Sequence, residues 1–259
     1  MIGLPAAAPL LAAEIEVGTH EQVQFLGLTL NLDTIWATVV AGAIVIGVGL
    51  YVRSKATSGV PGRMQLIWEM VVSAVTRQVE GSIGPRGQAV IPLAVVLFFF
   101  ILIVNWFSVL GTGSTIEWIA PASADINFTV ALALIVIIPV HIASIRVRGL
   151  GGYLAHYASQ PFPKFLFPLN IFINLVEEIS KPVTLALRLF GNLLSGGLML
   201  ALIAALGVWT IGSFHIGYVA ILILNPIWKL FDLFIGAIQA FIFALLTVLY
   251  FDTAMSEAH

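Results

Sequence analysis

The chain has 259 residues, of which 60% are hydrophobic and 9% are charged, whereas a soluble globular domain carries roughly 25% charged residues. This composition excludes an ordinary soluble enzyme and indicates a protein whose solvent is the lipid bilayer. The net charge of −2 offers no basic surface for nucleic acid. The absence of cysteine excludes disulfides, thiolate metal sites and thiol nucleophiles.

Three charge-free segments in the first part of the chain are long enough to cross a membrane, which takes about 20 apolar residues. They are 34–52, 89–111 and 126–145. The first segment is followed by Arg53 and Lys55, and the third by Arg146 and Arg148. We therefore expect these basic residues to mark the ends of the two helices.

Between the first two spans, apolar side chains recur at helical spacing from Met64 to Val79, with Glu69 and Arg77 on the other faces. This pattern indicates an amphipathic helix at about 63–83 that lies in the membrane surface. We interpret it as a surface anchor or a docking helix for a partner, because no residues with evident chemistry accompany it.

Two near-continuous apolar segments of more than thirty residues follow, at 168–206 and 218–251. Each contains one proline, Pro182 or Pro226. At about 1.5 Å per residue both are longer than a perpendicular crossing, so we predict an antiparallel hairpin of tilted or kinked helices with its turn at 207–217. The fold class is then an all-α membrane protein of about five transmembrane helices, with six shorter helices as the alternative.

The distribution of basic residues predicts the orientation. Eight of the eleven Lys and Arg residues lie in the loops after the first and third spans, and the other two loops carry none. By the positive-inside rule the basic loops are cytoplasmic, so we expect the N-terminus outside and the C-terminus in the cytoplasm. The chain then divides into an outer N-terminal segment (1–32), three helices with the interfacial helix (33–164), and the hairpin (165–259).

Arg188 is the leading candidate for a functional residue. It is preceded by six uncharged residues and followed by forty, whereas an ionisable side chain at membrane depth costs from about 2.5 kcal/mol upward. Its guanidinium stays protonated and supplies a fixed positive charge. Steps of seven, four, three and four place Lys181, Arg188, Asn192, Ser195 and Met199 on one helix face.

Two acidic residues on the same helix lie too far away to pair with Arg188. Glu177 and Glu178 precede it by eleven and ten residues, which is at least about 15 Å along the axis. Glu177 can instead pair with Lys181, four residues on. For these residues we weigh a simple ion pair and a functional role equally.

On the last helix, Asp232 and Gln239 are seven residues apart and therefore share a face. Antiparallel packing can bring that face against Arg188 and Asn192, so we predict a polar seam between the last two helices. An ion pair between Asp232 and Lys229, three residues away, is the alternative.

Polar residues at the helix ends have simpler interpretations. Asp125 and Asn127 open the third span, where Asp125 can be an N-cap or part of an aqueous entrance. We interpret Asp33 as the N-cap of the first helix and His215 as an exposed ring in the outer turn. His141 is a lone histidine, which we interpret as a packing residue.

Catalytic motifs are absent from the sequence, which contains no HExxH, no G-x-S-x-G and no P-loop. We therefore expect the chain to catalyse no bond chemistry by itself, and we expect neither a cofactor nor a metal site.

Two strings, SKPVTLALRLFGN at 180–192 and AIQAFIFALLTVLYF at 237–251, resemble subunit a of the F-type ATP synthase. A weaker likeness includes NLDT at 31–34 and PASADINFTVALAL at 121–134. The resemblance implies a stator subunit of a bacterial plasma membrane, with two offset aqueous half-channels that pass protons to and from carboxylates of a rotating c-ring. The implied partners are the c-ring, a b-type subunit of the peripheral stalk and the rest of the F1Fo complex. A stand-alone ion channel or secondary transporter is the main rival.

By position, Arg188 resembles the family's essential arginine, and Asn192 and Gln239 resemble polar residues associated with it. Many family members carry Glu nine residues after the arginine and His seven before the glutamine, where this chain has Gly197 and Asp232. We hypothesise that Asp232 alone serves the outer half-channel, with water beside Gly197. The residues assigned to the proton path are Arg188, Asn192, Gln239, Asp232, Ser195, Glu177, Glu178 and Lys181, with Asp125, Asn127 and His215 as candidates for its entrance.

Overall fold

A computed structural model describes residues 22–25, 28–110, 122–159, 162–208 and 216–255. The helices in these ranges are α1 (Leu32–Lys55), α2 (Arg63–Ser82), α3 (Ile91–Leu110), α4 (Ile126–Ser159), α5 (Phe167–Ala205) and α6 (Ile216–Met255). Short 3₁₀ turns flank α3, α4 and α5. All of these helices except α2 are long and apolar enough to cross a membrane, five in total. The predicted all-α membrane fold with five spans is therefore confirmed.

The N-terminal segment contains a small β-hairpin that we did not predict. Strands β1 (Gln22–Phe25) and β2 (Leu28–Asn31) pair antiparallel, with Val23 opposite Leu30. Residues 1–21 of the predicted outer segment lie outside the described residues.

The predicted N-cap of α1 was wrong. Asn31 occupies the N-cap position in an extended conformation, and Asp33 is buried inside the first turn. An acidic side chain is still favourable there, because the first turn carries the positive end of the helix dipole.

The amphipathic helix α2 spans nearly the predicted residues. Its apolar stripe buries Val75 and Val79 against the bundle, and Trp68 stacks on Phe99 of α3 with ring centroids 4.5 Å apart. Met64 at its start is exposed. The later part of the stripe therefore packs within this chain, while Met64 and Ile67 stay exposed.

The central core joins α3, α4, α5 and α6. Ile101, Val136, Leu185 and Phe243, one from each helix, are all almost completely buried in a single cluster. The last two helices are antiparallel, but α6 packs mainly against α3, and α5 packs mainly against α4. Each long helix is therefore held by a neighbour outside the predicted hairpin.

The backbone of α4 is interrupted a little beyond the predicted end of the span. Its first helical part runs to Arg148, Gly149 has a non-helical conformation with φ 70°, and a second helical part follows to Ser159. Glycine adopts this left-handed conformation without the steric penalty that a Cβ brings. The basic residues therefore lie within the helical segment, and the part after Gly149 returns over the end of the bundle.

The two last helices have 39 and 40 residues and run through Pro182 and Pro226. At about 1.5 Å per residue each is about 60 Å long, twice the hydrocarbon core of about 30 Å. Such helices must tilt strongly or project beyond the core.

Candidate functional site

Asp125 ties the start of α4 to the start of α1. Its Oδ1 accepts a hydrogen bond from the backbone N–H of Asn127 at 2.8 Å, which confirms Asp125 as an N-cap. Its Oδ2 accepts hydrogen bonds from the Asn31 side-chain amide at 2.6 Å and the Thr34 hydroxyl at 3.3 Å. The buried carboxylate thus links the end of β2, the first turn of α1 and the first turn of α4. The role of Asp125 in an aqueous entrance stays a prediction.

Asn105 connects this end of the bundle to α6, and sequence reasoning missed it. Its side-chain amide donates to the Gly236 carbonyl at 3.2 Å, and its Oδ1 accepts from the Ser123 hydroxyl at 3.4 Å. A Cβ added to Gly236 would lie 3.0 Å from Asn105 Cβ, so glycine is what permits this close approach. In the sequence, Asn105 could have been noticed as an amide side chain within the otherwise apolar segment 89–111.

Asp232 lies one helical turn before Gly236 and faces α5. A Cβ added to Gly196 would lie 3.0 Å from Asp232 Oδ1, whereas one added to Gly197 would meet nothing within 4 Å. The Trp228 indole N–H also donates to the Gly196 carbonyl at 3.3 Å. The carboxylate is therefore packed against Gly196, beside open space at Gly197.

The contact between Asp232 and Gly196 sets the register of α5 and α6. Seven residues along each antiparallel helix bring Gln239 level with Leu189, next to Arg188. Gln239 is 6% exposed, and its Nε2 has no hydrogen-bond partner among the described residues. A buried amide without a partner is costly, which makes this position a candidate for contact with water or another molecule.

Arg188 is partly buried and forms no salt bridge within the described part of the chain. Asn192, one turn further on, is also partly buried. Ser195 is exposed and donates its hydroxyl to the Gly191 carbonyl at 2.8 Å. The next two residues on this face of α5, Asn192 and Ser195, are therefore polar and uncharged.

On α6 the spacing of the polar seam predicted between α5 and α6 continues to one further residue, Asn225. Asn225 precedes Asp232 by seven residues, the same interval that separates Asp232 from Gln239. Its Oδ1 is buried and has no hydrogen-bond partner in the described ranges. Sequence reasoning missed this residue although the spacing would have found it.

A polar cavity of about 340 Å³ lies between the C-terminal part of α4, the start of α5 and the end of α6. On its wall Lys181 Nζ lies 2.7 Å from Glu178 Oε1 and 3.2 Å from Glu177 Oε1. The predicted pairing of Glu177 with Lys181 is therefore present, but Glu178 is the nearer and less exposed partner, at 22% against 58%.

His141 is not the lone packing residue that we expected. Its Nδ1 lies 3.0 Å from the Tyr153 hydroxyl, and its Nε2 lies 3.5 Å from Glu178 Oε2. Tyr157 donates its hydroxyl to that of Tyr153 at 3.2 Å. These partners were missed because the sequence interpretation ended the helix at residue 145, before both tyrosines.

The end of α4 is fixed in place by amide side chains of α5. Asn170 is fully buried and donates to the carbonyls of Ala158 and Phe162, at 3.0 and 2.9 Å. Asn174 donates to the Tyr157 carbonyl at 2.9 Å. The wall that carries the tyrosines is therefore a built part of the fold.

Arg188 separates two polar regions along α5. Glu178, on the cavity, lies ten residues before it, about 15 Å along the axis, and Gly196, level with Asp232, lies eight residues after it, about 12 Å. His215 lies outside the described residues, and the described residues contain no group of three His, Asp or Glu side chains that could hold a metal.

Comparison with known proteins gives a consistent result. Residues 35–252 match the family described as ATP synthase A chain. The chain is 50% identical to ATP synthase subunit a of Acidothermus cellulolyticus over 252 residues, which cover 97% of this chain and 87% of the relative. It is 47% identical to ATP synthase subunit a of Mycobacterium marinum, with 95% and 96% covered. The protein of that name from Thiobacillus denitrificans is 33% identical, with 92% and 88% covered.

Proposed function

Because the chain belongs to the ATP synthase A chain family, we propose that it is the stator subunit through which protons cross the membrane sector of an F-type ATP synthase. The observation that carries this proposal is the position of Arg188. Along α5 this fixed cation stands between Glu178 on the cavity and Gly196 beside Asp232, and the helix spacing brings the buried Gln239, whose Nε2 has no hydrogen-bond partner among the described residues, to the same level.

The two polar regions correspond to two half-channels. The region that contains Asn105, Asp232 and the open space at Gly197 is the outer half-channel, and the cavity beside Glu178 and Lys181 is the cytoplasmic one. This assignment follows the positive-inside rule, because the cavity lies at the end of the bundle that carries the basic residues. The N-terminus is then outside and the C-terminus is cytoplasmic.

The chemistry follows from the cost of charge in lipid. A carboxylic acid on each c subunit must be neutral while it faces lipid, because an ionised group at that depth is costly. A cation nearby favours the ionised form, so passage by Arg188 releases the proton into one half-channel. The same cation opposes direct movement of a proton between the half-channels.

The outer surface of α5 supports a rotor contact. On both sides of Arg188 this helix exposes large apolar side chains, which include Ile179, Val183, Leu187 and Leu198. We assign this surface of the hairpin to the c-ring. A membrane potential of 100 mV is worth about 2.3 kcal/mol for each charge moved across the membrane, which biases ring rotation in one direction.

Asp232 takes the place of the Glu and His pair of many family members. The support for this assignment is that its carboxylate reaches α5 at Gly196, next to the position where the family's Glu would stand. In this chain the Asp232 carboxylate, carried by α6, then occupies the region beside Gly197. In many family members a Glu carried by the helix equivalent to α5 occupies it.

Family membership also implies partners and location. A subunit of an ATP synthase works in a complex with the other subunits, and the bacterial relatives and five apolar helices point to the cell membrane. The proposed contacts are with the c-ring, a b-type subunit of the peripheral stalk and membrane lipid.

The proposal is tested with inverted membrane vesicles that contain the assembled complex. Proton uptake is followed with a pH-sensitive dye after ATP addition, and ATP hydrolysis is measured separately. Arg188→Ala should abolish ATP-driven proton uptake, because the fixed charge is lost. Ser73→Ala, an exposed substitution on α2, should leave uptake close to wild type. Normal uptake by Arg188→Ala in assembled complexes would refute the proposal.

A further inference from the structure

The polar cavity contains a continuous row of polar atoms that ends at Glu178. Tyr157 donates to Tyr153 at 3.2 Å, Tyr153 Oη lies 3.0 Å from His141 Nδ1, and His141 Nε2 lies 3.5 Å from Glu178 Oε2. Lys181 holds the other oxygen of the Glu178 carboxylate at 2.7 Å. The imidazole thus stands between a hydroxyl and a carboxylate, with a different nitrogen toward each.

One tautomer of His141 connects the row from the hydroxyls to Glu178, since the roles of the ring nitrogens depend on the tautomer. When Tyr157 donates to Tyr153, the Tyr153 hydroxyl is free to donate to His141 Nδ1. The neutral ring then carries its proton on Nε2, which faces Glu178. Histidine can take up a proton on one ring nitrogen while it releases one from the other, near neutral pH.

We propose that His141 is a proton-transfer residue of this cavity and exchanges protons with Glu178. For transfer toward Glu178, an N–H bond forms at Nδ1 as the O–H bond of Tyr153 breaks, and the Tyr153 oxygen takes a proton from cavity water. The Nε2–H bond then breaks as an O–H bond forms on Glu178, which leaves the neutral ring in the other tautomer. Proton exchange of the ring with cavity water restores the first tautomer for the next transfer. Transport in the opposite direction reverses both steps. This inference rests on the proposed function.

Other titratable or charged groups on the same cavity are Arg148, His156 and Tyr157 from α4, Glu177 and Lys181 from α5, and Tyr250 from α6. Among these, His156 is the useful comparison. It is the same residue type on the same helix and cavity, but its Nδ1 is buried and has no hydrogen-bond partner in the described ranges. His156 therefore lies outside the row that reaches Glu178.

The test uses inverted vesicles with the assembled complex, in which ATP-driven proton uptake is measured across a pH series. His141→Gln keeps an amide donor and a carbonyl acceptor but cannot carry a proton. We expect uptake to fall by about 10²-fold, the lower end of the range for loss of a positioned acid–base group. His156→Gln, on the same cavity but outside the row, should reduce uptake less than His141→Gln does. Added imidazole should partly restore uptake in His141→Ala, which a merely structural role would not allow.

Each result decides the inference. Wild-type uptake by His141→Gln overturns it, and so does a loss in assembled His141→Ala complexes that imidazole does not relieve. If the His141 variants fail to assemble, Tyr153→Phe keeps the imidazole and removes its hydroxyl partner. It should shift the pH midpoint of uptake, and an unchanged profile overturns the inference. Failure of wild-type vesicles to take up protons would refute the proposed function instead.

Discussion

The sharpest prediction concerns the carboxylate that this chain carries on α6 instead of α5. Asp232→Asn removes the ionisable carboxyl group at that point while it keeps the size of the side chain. Loss of a positioned proton-transfer group costs roughly 10²–10⁴-fold in rate. Water in the space beside Gly197 can carry part of the proton flux. We therefore expect ATP-driven proton uptake to fall by about 10²-fold, the lower part of this range.

The structure also predicts where a second carboxylate can replace the first. A Cβ at Gly197 would meet nothing within 4 Å, but one at Gly196 would lie 3.0 Å from Asp232 Oδ1. Gly197→Glu in the Asp232→Asn background should therefore restore uptake to within about tenfold of wild type, a residual of about 1.4 kcal/mol in the barrier. Gly196→Glu in the same background is the matched control and should not restore it.

The assay is dye-monitored proton uptake by inverted vesicles, with the amount of assembled complex measured by immunoblot. Undiminished uptake in Asp232→Asn would refute the role of Asp232. An assembled Gly197→Glu, Asp232→Asn complex that stays inactive would refute the equivalence of the two positions. Equal recovery of uptake by Gly196→Glu and Gly197→Glu would refute the claim that the open space at Gly197 determines where a glutamate can replace Asp232.

Two further predictions concern packing. Asp125→Ala removes an N-cap worth about 1 kcal/mol and hydrogen bonds to a charged acceptor worth about 1.5–3 kcal/mol, so the thermal midpoint of the solubilised complex should fall. Asn127→Ala should not lower it, since only the Asn127 backbone contacts the carboxylate. Gly236→Ala places a Cβ 3.0 Å from Asn105 Cβ and should cost about 1–3 kcal/mol by overpacking. Adding Asn105→Gly, which removes the Cβ in contact, should recover part of that loss, and strictly additive destabilisation would contradict the contact.

Much of the fold could be predicted because it depends on local hydropathy. The length of the apolar segments was enough to predict the five spans, and the helical spacing of apolar residues was enough to predict α2. The end of α4 could not be predicted in this way, because a helix ends where its backbone changes conformation and not where charge begins. Gly149 supplies that change three residues after Arg146, and the segment beyond it carries Tyr153 and Tyr157.

The residues of the candidate site likewise fall into two groups: those that local spacing predicts, and those whose partners are distant in the chain. Asp232 and Gln239 share a face of one helix, so their spacing along the chain is enough to group them. Asn105 has its partner Gly236 131 residues away, and no pattern within α3 points to that contact. His141 was likewise misjudged because its partners come from a bent continuation of α4 and from α5.

The spacing along α5 links these observations to mechanism. Glu178 and Gly196 are eighteen residues apart, about 27 Å along the axis, which approaches the thickness of the hydrocarbon core. Arg188 lies between these two residues on α5 and forms no salt bridge among the described residues. On the proposed function, a proton that arrives from either side then meets this cation. We infer that the missing segment of the path is supplied by a moving carboxylate on a partner, so that transport and motion of that partner are obligatorily coupled.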